Sequence, residues 1–317
     1  MTGKIVAIAA ASLLAMASAA QATELTVMSY NIWGGGGNED KPIDETVAVI
    51  KAAGADIISV SETRLEGEPC TADSCPPRGE SVAAKLAEAL GFHHYDQTAS
   101  NPAIWANAIL SRYPIVKPTK DDLGVAIDVN GRTVYVFSVN LDDAPYQPYQ
   151  LLGIEYGDAP FFKTAEEAIK SAEETRGKSF DALIADANEA TDAAAVFIAG
   201  DFNEPSHRDW TDATVKAGQQ PLAVAWPGTT KLEAAGFVDT FRAVFPDAAA
   251  KPGITWTPTT DASDPEDHLD RIDFVFARAP GLKVLSSAVV GEKQPEADIV
   301  VTPWPSDHRA VVSKVEF

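Results

Sequence analysis

An apolar run that stops on glycine and delivers two polar side chains in alternate positions constrains this chain most: Val196–Asn203, VFIAGDFN. A run of Val196, Phe197, Ile198 and Ala199 ended by Gly200 reads as a buried strand. Open α/β sheets place their ligand sites where strands leave the sheet. Asp201 and Asn203 are two apart, so on an extended backbone they point the same way. A carboxylate beside a carboxamide can hold a divalent cation or a water and donate a hydrogen bond to an anion. The rest of the chain has to decide between a strand-end turn and an active site.

At 317 residues the chain is long enough for one large domain or two small ones. Lys4 is followed by IVAIAAASLLAMASAA, and Ala20-Gln21-Ala22 offers a cleavage site, so residues 1–22 read as a secretory signal peptide. The mature chain, 23–317, is expected as a single exported domain, periplasmic or secreted. No later stretch is apolar for long enough to span a bilayer, so no stable membrane insertion is expected. The formal net charge is −21, and −22 once Lys4 is removed. Such acidity disfavours unaided binding to duplex DNA or anionic membranes, although bound cations can invert a local field. Cys70 and Cys75 are the only cysteines, and in an oxidising compartment they are expected to bridge across EPCTADSCPP. A metal site there would lack further Cys or His ligands nearby.

Leu25–Tyr30 reads as the first strand, leading to Asn31 and a pliable loop, Gly34 to Gly37. Pro42 to Ala53 has helical spacing, and Asp56–Ser61 is a strand that ends on Glu62. Gly79 to Leu90 reads as a helix. His93 and His94 are adjacent on a strand and face opposite ways, a poor metal pair. Asn107–Ser111 is a strand. Gly124–Val129 and Thr133–Asn140 form a hairpin around Asn130-Gly131. Ala144 to Phe162 has no clear period and reads as an ordered loop over the strand ends, a substrate wall or a packed connection. Lys163 to Glu189 is helical, with Gly177 a candidate break, and Pro205-Ser206 reads as the start of another helix. Asp270–Ala277, Leu282–Val290 and Ala310–Phe317 are strands. In the first of these, Asp273 is a buried carboxylate wanting a partner.

The polar residues at strand edges are Asn31, Glu62, Asp201, Asn203, Asp273, Asp307 and His308, with Asn140 a further candidate. Hard oxygen donors without a Cys or His cluster suit Mg²⁺, Mn²⁺ or Ca²⁺ better than zinc. One histidine among carboxylates suits general acid–base work. Together they describe metal-assisted hydrolysis of a phosphate ester.

In order and spacing these residues resemble the endonuclease/exonuclease/phosphatase superfamily, which includes secreted deoxyribonucleases, abasic-site endonucleases, neutral sphingomyelinases and inositol-polyphosphate phosphatases. The matching motifs are SYNIW at 29–33, SVSE at 59–62, NAILSRYPI at 107–115, GDFN at 200–203, RIDFVF at 271–276 and SDH at 306–308. The resemblance implies an α/β fold, a four-layer sandwich of two packed mixed sheets flanked by helices. It implies Glu62 as the main ligand of Mg²⁺ (or Mn²⁺), with Asn31 and Asp307 near the ion. It also implies that Asp201 orients or deprotonates the attacking water and that Asn203 donates to the phosphoryl oxygen. His308 would contact the phosphate or take the proton, and Asp273 would hold the His308 ring, with Asp270 its rival.

One position departs from the pattern. Many members carry His-Leu or a Tyr where this chain has Asn140-Leu141. Asn140 can donate a hydrogen bond but cannot act as an acid. His207, just beyond GDFN, is either a substitute for that acid or a solvent-facing residue, and His268 is expected at the surface. The expected activity is hydrolysis of a phosphate-ester substrate: a small molecule, a lipid headgroup or, as the alternative, DNA or RNA. A binding protein that has lost catalysis is the reading from another class. No protein partner is inferred.

Overall fold

The computed structural model describes residues 22–67, 77–97, 107–261 and 263–317. The expected leader, apart from Ala22, and the Cys70–Cys75 pair lie outside the described residues. From the N-terminus, β1 (Glu24–Asn31) passes through a 3-10 segment (Trp33–Glu39) into α1 (Ile43–Ala53) and β2 (Ile57–Ser61). A small ribbon of β3 (Leu65–Glu66) and β4 (Pro77–Arg78) precedes α2 (Ala83–Leu90), β5 (His93–Asp96), β6 (Ala108–Ser111) and β7 (Ile115–Pro118). The hairpin of β8 (Gly124–Val129) and β9 (Arg132–Asn140) leads to α3 (Gln147–Leu152), α4 (Ala165–Asn188) and β10 (Ala195–Asp201). Then come α5 (Asp212–Lys216), α6 (Pro227–Ala234), β11 (Val238–Asp239) and α7 (Thr240–Val244). The last strands are β12 (Asp273–Arg278), β13 (Lys283–Gly291), β14 (Ile299–Val300) and β15 (Ala310–Glu316).

Two mixed sheets result. One is ordered β14-β13-β15-β1-β2-β6-β5, the other β11-β12-β10-β9-β8-β7. Successive strand side chains point to opposite faces, and here both faces are covered. In β1, Leu25 and Val27 enter the space between the sheets, where they meet Val125, Val136, Phe197 and Val275. Met28 and Tyr30 point the other way, to Val47 and Ile50 of α1 and Leu86 of α2. In β10, Phe197 and Ala199 face the first sheet, while Val196 and Ile198 meet Phe180 and Leu183 of α4. The result is the expected four layers, helix–sheet–sheet–helix. Two-sided burial explains why the strands read as near-continuous apolar runs. It also fixes register, because a slip of one residue would exchange the two faces. Each buried Leu, Ile or Phe contributes about 1.5–3 kcal/mol. One polar link also crosses the sheets: Ser59 Oγ lies 2.7 Å from Ser138 Oγ and 2.9 Å from the Ala199 carbonyl oxygen.

Four local expectations are corrected. The segment 144–162 is not all loop but contains α3, entered through Pro148 and closed by Gly153 at φ 75°. Six residues are too few to display a helical period. Gly177 does not break α4, which runs for 24 residues from a Thr164/Glu167 capping box. A mid-helix glycine costs only about 1 kcal/mol, and the buried stripe of Ala168, Ala172, Phe180 and Leu183 outweighs that. Pro205-Ser206 opens a turn, not a helix: Ser206 Oγ accepts from the Arg208 amide at 3.1 Å, and the helix starts later, capped by Thr211. The glycines after Asn31 are ordered in the 3-10 segment, where Gly34, Gly35 and Gly36 take positive φ.

Gly200 is required where it stands. Its φ is +145°, and a Cβ there would lie 1.9 Å from the Val139 carbonyl oxygen on the neighbouring strand. Gly200→Ala is therefore expected to lower unfolding free energy by about 3 kcal/mol or more, read from urea unfolding. An unchanged midpoint would contradict the close approach.

Candidate active site

Strand register assembles the site. In the second sheet Asp201 pairs with Asn140 of parallel β9 on one side and with Asp273 of antiparallel β12 on the other. Three polar side chains thus share one sheet edge. In the first sheet Asn31 pairs with Ser61 of parallel β2, so Glu62, the next residue, leaves at the same edge. The edges meet through one amide. Asn31 Nδ2 donates to Glu62 Oε1 at 2.7 Å and to Asp201 Oδ2 at 3.2 Å.

The SDH segment closes the cluster. Ser306 Oγ donates to the Asn31 carbonyl at 2.8 Å and accepts from the His308 amide at 3.0 Å. Trp304 Nε1 donates to the His308 carbonyl at 3.0 Å. These bonds aim the ring. Its Nδ1 lies 2.9 Å from Asp273 Oδ2, and its Nε2 lies 3.6 Å from Asp201 Oδ2. Asp273, not Asp270, therefore holds the histidine. Asp270 accepts from Tyr146 Oη and Trp210 Nε1, each at 2.9 Å.

Two site residues have left-handed backbone, Glu62 at φ 55° and Asn203 at φ 48°. Such geometry is uncommon outside glycine and collects at functional sites. Both are held by hydrogen bonds. Gly34 donates its amide to the Glu62 carbonyl at 2.8 Å, and the Asn203 amide donates to Asp201 Oδ1 at 2.9 Å. Exposure divides the set. Asn31, Asn140, Asp201, Asp273 and His308 are buried, whereas Glu62, Asn203 and Asp307 are mostly covered but keep an accessible edge.

Charge is unbalanced. Burial pushes Glu62 up to about 8, and repulsion from Asp307 adds to the effect, against the pull of His308 and Asn31. Burial likewise raises Asp201 to about 7, opposed by His308 and reinforced by Asp273. Asp307 is raised by burial too. Burial alone would lower His308, but Asp273, Asp201 and Asp307 together hold it well above the ordinary histidine range. Four carboxylates thus face one imidazolium, and buried Asp273 Oδ1 has no hydrogen-bond partner. A divalent cation fits this excess of hard anionic oxygen. One candidate group, Asp201, Asp273 and His308, has ligand atoms within 4.8 Å of one another. Both ring nitrogens of that group already face carboxylates, and Glu62 and Asp307, with Asn31, could offer a second set of hard oxygens.

The remaining expected residues are placed as follows. Asn203 Nδ2 donates to the Leu141 carbonyl at 2.9 Å and to Asn140 Oδ1 at 3.3 Å. Its amide is engaged with the Asn140 segment, so donation to a phosphoryl oxygen requires the longer bond to open. His207 is held by Thr229 at 2.8 Å and Glu233 at 3.2 Å and does not join the cluster. His268 is half-buried: its Nε2 lies 2.8 Å from Gln220 Oε1 and its ring packs against Trp210. His93 and His94 are exposed. Sequence reasoning missed Trp256, which bridges to His308 and packs 6.3 Å from its ring. The 144–162 segment reaches the site through this residue, because Tyr146 and Tyr149 pack on Trp256.

Sequence comparison matches residues 28–308 to the Endonuclease/Exonuclease/phosphatase family. The chain belongs to that family. Membership makes it a phosphoric-ester hydrolase that works with a divalent metal. The uncharacterized protein F14F9.5 of Caenorhabditis elegans is 26% identical over 311 residues, covering 92% of this chain and 91% of its own. An endonuclease/exonuclease/phosphatase from Beutenbergia cavernae has a similar structure, with TM-score 0.53 and 21% identity, over 93% of this chain and 72% of that one. The 3′ phosphatase NExo from Neisseria, bound to product DNA hairpin, is similar at TM-score 0.53 and 18% identity, over 91% and 98%. These structural likenesses show the shared fold.

Within the family's chemistry, the Asp273–His308 contact has a direct consequence. Asp273→Asn is expected to lower the hydrolytic rate about 100-fold or more through loss of ring orientation and charge. Asp270→Asn should act mainly on thermal stability. Equal rate losses in the two variants would contradict the assignment.

Proposed function

We propose that this chain is an exported, Mg²⁺-dependent hydrolase of small or lipid-headgroup phosphate esters. The observation that carries this reading is the unbroken line of contacts Glu62–Asn31–Asp201–His308–Asp273 at one edge of the paired sheets. Export rests on the signal-like residues 1–22. Among the described residues no helix is long and apolar enough to cross a membrane.

Glu62 and Asp307, with Asn31 beside them, would hold the ion. When bound, a divalent cation there supplies positive charge to the phosphate and its leaving oxygen. The protein's own groups do the rest. Asp201 orients the attacking water and takes its proton. His308, kept cationic by three carboxylates, donates to a phosphate oxygen that gains charge in the transition state. Asp273 fixes which ring nitrogen faces that oxygen. Asn203 and Asn140 would present carboxamides to the same oxygens once the 3.3 Å bond between them opens. Neither can protonate a leaving group, which favours substrates whose leaving oxygen is a weak base.

A nuclease is the second reading, favoured by fold neighbours seen with DNA: NExo and the Danio rerio TDP2 complexed with single-strand DNA product. The net charge of −21 weighs against it, because general affinity for DNA comes from lysine and arginine contacts to phosphates.

The test is a parallel assay of the mature protein with a chromogenic phosphodiester, a phosphomonoester, sphingomyelin and plasmid DNA, each with Mg²⁺ and with EDTA. Hydrolysis of a small or lipid ester with intact plasmid is expected, together with a Mg²⁺-induced rise in melting temperature. At saturation near 100 times the dissociation constant that rise reflects about 2.7 kcal/mol. Glu62→Gln should abolish both effects. Plasmid nicking would replace the proposal with the nuclease reading, and metal-dependent binding without turnover would replace it with a binding protein.

A further inference from the structure

Arg176 is fully buried in the middle of α4. It occupies the apolar stripe between Ala172 and Phe180, where a charge is costly unless its donors are matched. The donors converge on the two chain segments that leave the site. Nη1 donates to the Asp142 carbonyl at 2.8 Å and approaches that of Pro145 at 3.5 Å. Nη2 donates to Gln147 Oε1, and Nε faces Glu204 Oε2 at 3.4 Å. The other oxygen of Glu204 accepts from the Gly228 amide at 2.7 Å. Asp142 stands two residues beyond Asn140, and Glu204 follows Asn203 directly. One guanidinium therefore grips both segments just behind the two carboxamides. Those carboxamides are themselves joined, with Asn203 Nδ2 bonded to Leu141 and Asn140.

We propose that Arg176 is a positioning residue for phosphate-ester hydrolysis. By anchoring the Asp142 carbonyl and the Glu204 carboxylate, it sets the distance and orientation of Asn140 relative to Asn203. This rests on the hydrolase reading above. Arg176 and Glu204 are both buried and reach no substrate. A buried ion pair is poor at adding stability compared with apolar side chains of similar size. What it supplies here is the flat, multi-donor geometry that only a guanidinium has, and lysine cannot reproduce that fork.

The experiment compares wild type with Arg176→Lys and with the double variant Arg176→Met/Glu204→Gln, which leaves no unpaired buried charge. The measurements are kcat, KM, melting temperature with and without Mg²⁺, and calorimetric binding of inorganic phosphate in Mg²⁺. Both variants are expected to fold and to keep the wild-type Mg²⁺-induced melting shift, because Glu62 and Asn31 belong to the other sheet. In both, kcat should fall about tenfold or more, since displacement of a reacting geometry by an ångström can remove two orders of magnitude. KM should change little. Two results would overturn the proposal: kcat within a factor of about two of wild type, or loss of activity in step with loss of the metal shift, which marks a purely structural role. The phosphate arm separates this proposal from the one it rests on. A wild type without turnover whose phosphate affinity drops in Arg176→Lys would refute the hydrolase reading and leave Arg176 positioning the two carboxamides for phosphate binding alone. Equal affinities in that case would refute both.

Discussion

One carboxamide holds the two halves of this molecule in functional contact. Asn31 Nδ2 bridges Glu62, at the end of β2 in the first sheet, and Asp201, at the end of β10 in the second. Everything needed to place that amide comes from packing behind it. Apolar side chains between the sheets set their separation, and the Ser59–Ser138 bond adds a polar tie across the same gap. Parallel register brings Asn31 level with Ser61, and Asn140 level with Asp201. A change in sheet separation would therefore reach the site first through Asn31.

The same edge concentrates charge that the fold alone does not neutralise. Carboxylates are crowded into a place where burial raises their proton affinity, with one imidazolium among them. Elsewhere two buried arginines are closely matched by carboxylates. Arg271 meets Asp209 and Asp239, and Arg242 meets Asp209. The contrast is informative, since natural chains break local rules of charge satisfaction where function demands it. Left-handed backbone at Glu62 and Asn203 marks the same place.

Much of this was legible in the sequence because the physics is local or periodic. Strands buried on both faces announce themselves as apolar runs, and the positions at which they stop gave Asn31, Glu62, Asp201 and Asn140. The alternation in RIDFVF gave Asp273 as an inward carboxylate. What was not legible depends on segments far apart in the chain. The motif register favours Asp273 over Asp270, but what Asp270 does instead is not legible, since its partners Tyr146 and Trp210 lie 124 and 60 residues away. The engagement of the Asn203 amide depends on Leu141, 62 residues earlier. His268 is partly covered by Trp210 and Gln220, and nothing near it in sequence signals that. Arg176 is a partial case. An arginine on the Ala168–Ala172–Phe180 stripe of a helix is legible in the sequence, but its partners, Asp142, Gln147 and Glu204, are 28 to 34 residues away.

The central claim is that the divalent ion sits with Glu62 and not within the Asp201–Asp273–His308 cluster. The most direct measurement is anomalous diffraction from crystals of residues 23–317 soaked in Mn²⁺. The account predicts a peak about 2.0–2.3 Å from a Glu62 carboxylate oxygen, on the side of Asp307 and Asn31, with His308 still bonded to Asp273. A peak ligated by a His308 ring nitrogen, with Glu62 outside the coordination sphere, would contradict it.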